Sequence, residues 1–228
     1  MDEVKKKAAE LTEALALLTQ LYDDTVEVLG SALALRDMET QGHSQRVTAF
    51  CISIARAMPV PDAHLPMIGR AAFLHDVGKI AIPDSILFNP GPLHDSDKQI
   101  MRAHCEIGYN LLNGIPFLRA AADIVLAHHE FFDGTGYPRG LRGEQIPLGA
   151  RILSIADALD VMLSGCRYHN AVPLSHAREE IWRCASTQFD PKIVQVFLTI
   201  AENHWVELCE KLKEKPNQPP EPGSLPIM

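Results

Sequence analysis

Histidine and carboxylate residues recur in short groups along this chain of 228 residues, and their spacing could build a metal site. His43 follows Glu39 by four residues, about one helical turn, so the two side chains can lie on the same face of a helix. His75 is followed directly by Asp76, and Lys79 stands about one turn further on. Imidazole and carboxylate groups together suit iron, manganese, zinc, nickel or cobalt, and they disfavour a soft copper(I) or cluster site.

Three more histidines continue this pattern. His104 lies within one predicted helix, and the pair His128 and His129 ends the next one. A single histidine is more often a hydrogen-bonded core or surface residue than a metal ligand. The prediction of a metal site therefore depends on the joint occurrence of all these groups.

Asp157 lies inside an otherwise apolar predicted helix, with Asp160 about one turn further on. An ionised carboxylate on the buried face of a helix is costly unless it is paired or bound to a metal. The alternatives for Asp157 are a salt bridge to Arg151 or Lys79, or a position that faces solvent. The sequence leaves these alternatives open.

The segments between these groups are patterned as helices, separated by joints rich in proline and glycine. No segment shows sustained strand alternation, and we find no repeat. The predicted helices span residues 1–35, 43–58, 63–77, 95–112, 117–130, 148–164, 174–187 and 191–212. We predict an all-α fold, in which a metal site would be built from side chains of several facing helices that point inward.

The first predicted helix carries an apolar stripe that has two interpretations. Its members recur at intervals of three and four residues: Leu11, Leu15, Leu18, Tyr22, Val26, Leu29 and Leu33. The stripe could pack on the core, which suits the C-terminal half of the helix. It could also form a coiled-coil stalk or dimer contact, which suits the more polar first 20 or so residues.

The composition is that of an ordinary globular protein, with 46% hydrophobic and 22% charged residues. The net charge of −8 argues against a general surface for nucleic-acid polymers. We predict no membrane span, since no apolar run approaches about 20 residues. We also predict no signal peptide, since neither an apolar core nor a small-residue cleavage site follows the charged N-terminus. The five cysteines form no CxxC pair, which favours reduced thiols and a cytoplasmic location.

Six motifs follow one another along the chain: Gly42-His43-Ser44-Gln45-Arg46-Val47, His75-Asp76-Val77-Gly78-Lys79, His104-Cys105-Glu106-Ile107-Gly108, His128-His129-Glu130, Asp133-Gly134-Thr135-Gly136-Tyr137-Pro138 and Ala156-Asp157. Taken in order, they resemble those of the HD-GYP family, whose members are phosphodiesterases of the HD superfamily that hydrolyse the bacterial second messenger cyclic di-GMP. The resemblance covers about residues 25–205. It implies an HD-type helical bundle preceded by an extended amphipathic helix.

The resemblance also implies a ligand set for two or three divalent ions, with iron or manganese expected and nickel, zinc or cobalt as alternatives. The implied metal ligands are His43, His75, Asp76, His104, His128, His129 and Asp157. Asp76 is the implied carboxylate bridge between two ions. Lys79 matches the lysine that reaches toward the scissile phosphate. Both residues are therefore implied to be catalytic. Glu39 matches the position that supplies an extra ligand in members with three metals.

The expected substrate contacts depart in part from the family pattern. Cys166 and His169 stand where the family has basic residues that contact substrate phosphates, and Cys105 replaces a common proline. Arg167, one position further on, or a protonated His169 could take over this contact. The predicted substrate-binding residues are Lys79, Gly136, Tyr137, Pro138, Asp160, Arg167 and His169.

The resemblance predicts hydrolysis of cyclic di-GMP to pGpG or GMP by metal-activated water. The alternatives are a catalytically weak sensor of cyclic dinucleotides and an HD hydrolase that acts on another cyclic dinucleotide or phosphoester. We expect a homodimer through the N-terminal helix and a contact with a signalling protein at the Gly-Tyr-Pro loop. The predicted parts are an N-terminal helix (1–35), a catalytic domain (36–213) and a disordered proline-rich tail (214–228).

Overall fold

The computed structural model describes residues 2–34, 36, 42–164 and 170–213. Within this part of the chain the secondary structure is helical, and no β-strand forms apart from one isolated bridge between Ala185 and Phe189. The helices are α1 (Asp2–Ala34), α2 (His43–Arg56), α3 (Leu65–Phe73), α4 (Asp84–Leu87), α5 (Asp95–Arg102), α6 (His104–Asn113), α7 (Arg119–Ala127), α8 (Leu148–Ser164), α9 (Leu174–Arg183), α10 (Pro191–Thr199) and α11 (Glu202–Lys213). The prediction of an all-α fold is confirmed.

Helix α8 lies at the centre of the bundle and packs against α2, α7 and α9. Ile152, Leu153, Ile155 and Leu159 are fully buried, in keeping with a sequence that is apolar around most of the helix. Helices α3 and α6 pack on α2 and α7 and complete the layer that carries the His-Asp motifs. The predicted bounds of α8, residues 148–164, match the structure.

The helix predicted over residues 63–77 is shorter in the structure, because the chain leaves α3 at Phe73 and turns through His75 and Asp76. A short 3-10 turn at Val77–Ala81 follows and lies against α6. A Cβ on Gly78 would overlap the carbonyl oxygen of His104, so only glycine permits this close approach. The tight contact between the two motifs therefore depends on Gly78.

Two other predicted helices are divided. The helix predicted over residues 95–112 is interrupted at Ala103, between α5 and α6, so that His104 begins α6. A second break at Ile200, where the backbone is extended, separates α10 from α11. It allows α11 to fold back and bury Trp205, whose ring centroid lies 5.5 Å from that of Phe50 and 5.4 Å from that of Phe197.

Helix α1 has two halves with different surroundings. In the C-terminal half Val26 and Leu33 are buried, and the ring of Tyr22 stacks on Phe117 at 4.1 Å between centroids. The stripe therefore packs on the core in this half of the helix. In the N-terminal half the apolar side chains are exposed, including Leu11 at 61% and Leu15 at 55%.

None of the helices in the described ranges is both long enough and apolar enough to cross a bilayer.

Candidate metal centre

Three histidines are locked in the same way by their local backbone. The Nδ1–H of His75 donates to the carbonyl oxygen of Ala72 at 2.7 Å. His104 and His128 do the same with the carbonyls three residues earlier, at 2.7 Å and 2.6 Å. A neutral imidazole that donates through Nδ1 has an unprotonated Nε2. A ring in this neutral form therefore presents a lone pair to the interior.

These lone pairs face one another at short range. The Nε2 atoms of His104 and His128 lie 3.3 Å apart. Burial lowers the pKa of both imidazoles, and it lowers the pKa of His129 to about 3, so the neutral form is favoured at all three rings. Two facing lone pairs repel each other unless a cation lies between them, so this arrangement fits a metal ion.

Asp76 supplies a carboxylate between the histidines. Burial alone would raise its pKa, but the neighbouring His75 and Lys79 hold the pKa well below its ordinary value, so the group is ionised. Oδ2 lies 2.8 Å from Lys79 Nζ and 3.1 Å from His75 Nε2, and Oδ1 lies 3.3 Å from His104 Nε2. Oδ1 is fully buried and accepts no hydrogen bond from the residues that the structure describes. A buried, unsatisfied carboxylate oxygen is costly, and a metal ion would satisfy it.

His43 and Asp157 close the other side of the pocket. His43 is the first residue of α2, and its Nε2 lies 3.6 Å from Asp157 Oδ1. The same Asp157 oxygen lies 4.0 Å from His75 Nε2. Asp157 therefore faces the site and not solvent or Arg151, whose partner is Asp190 at 2.6 Å.

Asp160 occupies a position behind His43. Its Oδ2 accepts from His43 Nδ1 at 2.8 Å, and its Oδ1 accepts from Arg46 Nε at 2.6 Å. Its carboxylate is 1% exposed and accepts hydrogen bonds at both oxygens. Its predicted place among the substrate contacts stays a prediction. The arrangement is that of a carboxylate that orients a ligating histidine.

The Gly-Tyr-Pro loop folds back onto the His-His-Glu motif. Tyr137 N–H donates to the carbonyl of His129 at 3.1 Å, and the two rings lie 4.9 Å apart between centroids. A Cβ on Gly136 would overlap the backbone of Glu130, so glycine is required there. The buried Glu130 carboxylate accepts the backbone N–H of Arg139 at 2.8 Å and that of Leu141 at 3.0 Å. The loop that carries Tyr137 and Pro138 thus lies beside the histidines.

Two residues near the site are not among the predicted site residues. The guanidinium carbon of Arg102 lies 4.8 Å from the ring centroid of Tyr137, which places a cation beside the loop. Cys105 Sγ lies 3.5 Å from His104 Nε2. Each lies within two positions of His104 in the chain. This closeness to a predicted ligand is the feature of the sequence that could have identified them as site residues.

The structure brings the predicted residues into two adjoining groups of candidate ligands. In one group, ligand atoms of His43, His75 and Asp76 all lie within 4.8 Å of one another, and in the other, those of His104, Cys105, His128 and His129 do so. Asp157 borders the first group, and Lys79 lies at Asp76. The donor set fits divalent transition metals. Glu39, Arg167 and His169, as well as Cys166, fall outside the described residues.

Comparison with known proteins agrees with this geometry. A model of the HD domain matches residues 27–193. A cyclic di-GMP phosphodiesterase of Thermotoga maritima is 37% identical over 206 residues, covering 88% of this chain and 56% of that protein. A 3'3'-cGAMP-specific phosphodiesterase of Vibrio cholerae, numbered 2, is 36% identical over 200 residues, covering 86% of this chain and 38% of that protein. The chain therefore spans about half or less of the length of these relatives.

The fold also matches a solved structure. A cyclic GMP-AMP-specific phosphodiesterase of V. cholerae superposes with a TM-score of 0.58 at 21% identity, covering 77% of this chain and 49% of that one. At this identity the likeness establishes the fold alone. The domain match extends over more than half of the sequence, and the His-Asp, His-His-Glu and Gly-Tyr-Pro motifs occur in order along it. The chain belongs to the HD domain family and, within it, to the HD-GYP group.

Proposed function

We propose that this chain hydrolyses the phosphodiester bonds of a cyclic dinucleotide, with cyclic di-GMP as the first substrate, to give pGpG or GMP. The observation that carries the proposal is the position of His104 Nε2, which lies 3.3 Å from His128 Nε2 and 3.3 Å from the unsatisfied Oδ1 of Asp76. Relatives that share more than a third of their aligned residues with this chain are named as phosphodiesterases of cyclic dinucleotides, which supports the substrate class.

The proposed metal ligands are the predicted ones, namely His43, His75, Asp76, His104, His128, His129 and Asp157. The two oxygens of Asp76 face His75 and His104, which belong to different groups, so its carboxylate is suited to bridge two ions. Divalent ions bound here would supply an activated water and positive charge against the phosphate oxygens. Iron or manganese is the proposed metal, and nickel, zinc or cobalt remain alternatives. A third ion would need Glu39.

Several side chains hold the site in place for this chemistry. Lys79 Nζ lies at the edge of the ligand cluster, where it would stabilise negative charge that develops on the transferred phosphate. Asp160 and Arg46 fix the ring of His43. Glu130 fixes the Gly-Tyr-Pro loop, where Gly136, Tyr137 and Pro138 are proposed to contact the substrate.

A second substrate, 3'3'-cGAMP, is favoured by one specific observation. Cys166 and His169 replace the basic residues expected at two phosphate-contact positions, and a relative of this chain is named as specific for 3'3'-cGAMP. Arg167 and a protonated His169 remain proposed phosphate contacts. A catalytically weak sensor is the outcome if the chain binds these nucleotides without turnover.

The decisive experiment is a substrate panel with the purified chain after loading with Mn²⁺ or Fe²⁺. Cyclic di-GMP and 3'3'-cGAMP are incubated in parallel, and linear products are separated by chromatography. We expect linear dinucleotide or mononucleotide to accumulate with one or both substrates, and not with the Asp76→Asn variant. Binding without any product under these conditions would reject the enzyme and favour the sensor.

Three further expectations remain proposals. The exposed stripe at Val4, Leu11, Leu15 and Leu18 continues with heptad-like spacing, and we propose that it forms a homodimer contact. Light scattering tests this, since a Leu11→Lys/Leu18→Lys variant should become monomeric.

A signalling protein is proposed to contact the Gly-Tyr-Pro loop. The proposed cytoplasmic location is in keeping with the thiols of Cys51, Cys105 and Cys184, which form no disulfide within the described part of the chain.

The predicted division of the chain at residues 35/36 and 213/214 is also retained as a proposal. The last 15 residues, 214–228, lie outside the described part of the chain.

A further inference from the structure

Cys105 places a sulfur atom at the edge of the His104 group. The side chain is 0% exposed, and its Sγ lies 3.5 Å from the same Nε2 of His104 that faces His128. Ligand atoms of His104, Cys105, His128 and His129 all lie within 4.8 Å of one another. The sulfur therefore borders the space into which the imidazole lone pairs point.

The distances in this group match those between ligands of a single ion. Metal–nitrogen bonds of about 2.0–2.1 Å and a metal–sulfur bond of about 2.3 Å give nitrogen–nitrogen separations of about 3.3 Å and nitrogen–sulfur separations of about 3.6 Å in a tetrahedral site. The structure shows 3.3 Å between His104 Nε2 and His128 Nε2, and 3.5 Å between His104 Nε2 and Cys105 Sγ.

A second observation marks the same space as a ligand site. Asp76 is only 5% exposed, and its Oδ1 has no hydrogen-bond partner in the described ranges. This oxygen lies 3.3 Å from His104 Nε2, the atom that Cys105 Sγ also approaches. A buried cysteine usually acts as a small apolar side chain. Here the sulfur instead lies within hydrogen-bonding distance of His104 Nε2, which also faces His128 Nε2 and the unsatisfied Oδ1 of Asp76.

We infer that Cys105 is a sulfur ligand of the ion held by His104, His128 and His129. The inference rests on the metal centre proposed above. When the ion binds, the S–H bond of Cys105 breaks, its proton passes to solvent, and a metal–sulfur bond forms, with no change of oxidation state. A thiolate is softer than imidazole or carboxylate, so this position favours zinc or cobalt over manganese more strongly than a site with nitrogen and oxygen ligands alone.

Cobalt reports directly on a sulfur ligand. The full chain is stripped with a chelator and reloaded with Co²⁺, and the cobalt content per chain is measured by elemental analysis. We expect a sulfur-to-cobalt charge-transfer band in the near ultraviolet of the wild type. The band should be lost in Cys105→Ser and in Cys105→Ala, and it should persist in Cys184→Ser, a matched change of a cysteine at the end of α9.

X-ray absorption of the zinc-loaded wild type gives an answer that does not depend on any variant folding. A sulfur scatterer at about 2.3 Å is expected, in addition to nitrogen and oxygen at about 2.0–2.2 Å. Nitrogen and oxygen scatterers alone would overturn the inference. So would a cobalt band that is lost in Cys166→Ser and kept in Cys105→Ser.

These results separate the inference from the proposed function. Full cobalt loading without a sulfur signal removes Cys105 from the ligand set and leaves the centre and its phosphodiesterase activity standing. Failure to bind cobalt, zinc and manganese at all rejects the metal centre itself, and the inference falls with it.

Discussion

Replacing Asp160 with asparagine tests how the structure holds His43. The buried carboxylate accepts a hydrogen bond from His43 Nδ1 at 2.8 Å, and it accepts two from Arg46, at 2.6 Å and 3.0 Å. Asparagine keeps the size of the side chain but puts an NH₂ group in place of one oxygen. Whichever way the amide turns, at least one N–H donor of His43 or Arg46 then faces another donor.

The magnitude follows from the number of bonds at each oxygen. Oδ2 accepts from both His43 and Arg46, so the amide oxygen of the Asp160→Asn variant is best placed there, with its NH₂ turned toward Arg46 Nε. The bond from His43 then loses its charged acceptor, a difference of about 1–1.5 kcal/mol. An outer-shell partner of a ligating histidine is typically worth 10–100-fold in metal affinity. We expect a loss of about tenfold, or about 1.4 kcal/mol, for Asp160→Asn.

The assay is a competition for Zn²⁺ between the metal-free protein and a chromophoric chelator. Asp190→Asn provides the matched control, because Asp190 is also buried and pairs with Arg151 at 2.6 Å away from the candidate ligands. The control should lower the melting temperature and leave the zinc affinity unchanged. Unchanged affinity in a folded Asp160→Asn variant, or an equal loss in both variants, would refute the orienting role.

Three other outcomes follow from the same contacts. Burial lowers the pKa of His129 to about 3, so as the pH falls below about 6.5 the unfolded chain binds a proton at His129 that the folded chain does not. The melting temperature of the metal-free protein should therefore fall as the pH decreases below about 6.5. A melting temperature that stays constant between about pH 7 and pH 4.5 would contradict this. Glu130→Gln puts an NH₂ group in place of one carboxylate oxygen, so one of two backbone N–H groups, that of Arg139 or that of Leu141, loses its acceptor. That amide should exchange with deuterium about tenfold faster or more, and unchanged exchange would show that the carboxylate does not hold the loop. Arg102→Gln removes a cation beside Tyr137, so KM for the cyclic dinucleotide should rise about two- to fivefold with metal content unchanged, and an unaltered KM at low salt would exclude the contact.

The sequence is most informative where orientation is set locally. His104 and His128 each donate to a carbonyl three residues earlier, which places the ring direction under the control of its own turn. Motif order is therefore enough to predict the residues that meet in the pocket. The apolar pattern of residues 148–164 likewise predicts α8, because a helix buried on most sides needs few signals from elsewhere.

The sequence is least informative where a side chain depends on a distant partner. Asp160, for example, accepts a hydrogen bond from His43, which lies 117 residues away in the chain. The apolar pattern also predicts one continuous helix over residues 191–212, whereas the structure interrupts it at Ile200. There α11 turns back to bury Trp205 against residues of α2 and α10, a tertiary gain that outweighs continued helix propensity. Neither outcome has a local signature.

The two kinds of contact together explain how so many donor atoms converge on one pocket. Local N–H donation orients each of three rings within its own turn, and helix packing brings these turns together. Gly78 sets the closest of these approaches, because a side chain there would overlap the backbone of α6. The repulsion among the assembled lone pairs is then the remaining cost, and it is offset only when a cation is bound. Metal binding should accordingly stabilise the fold as well as provide the chemistry.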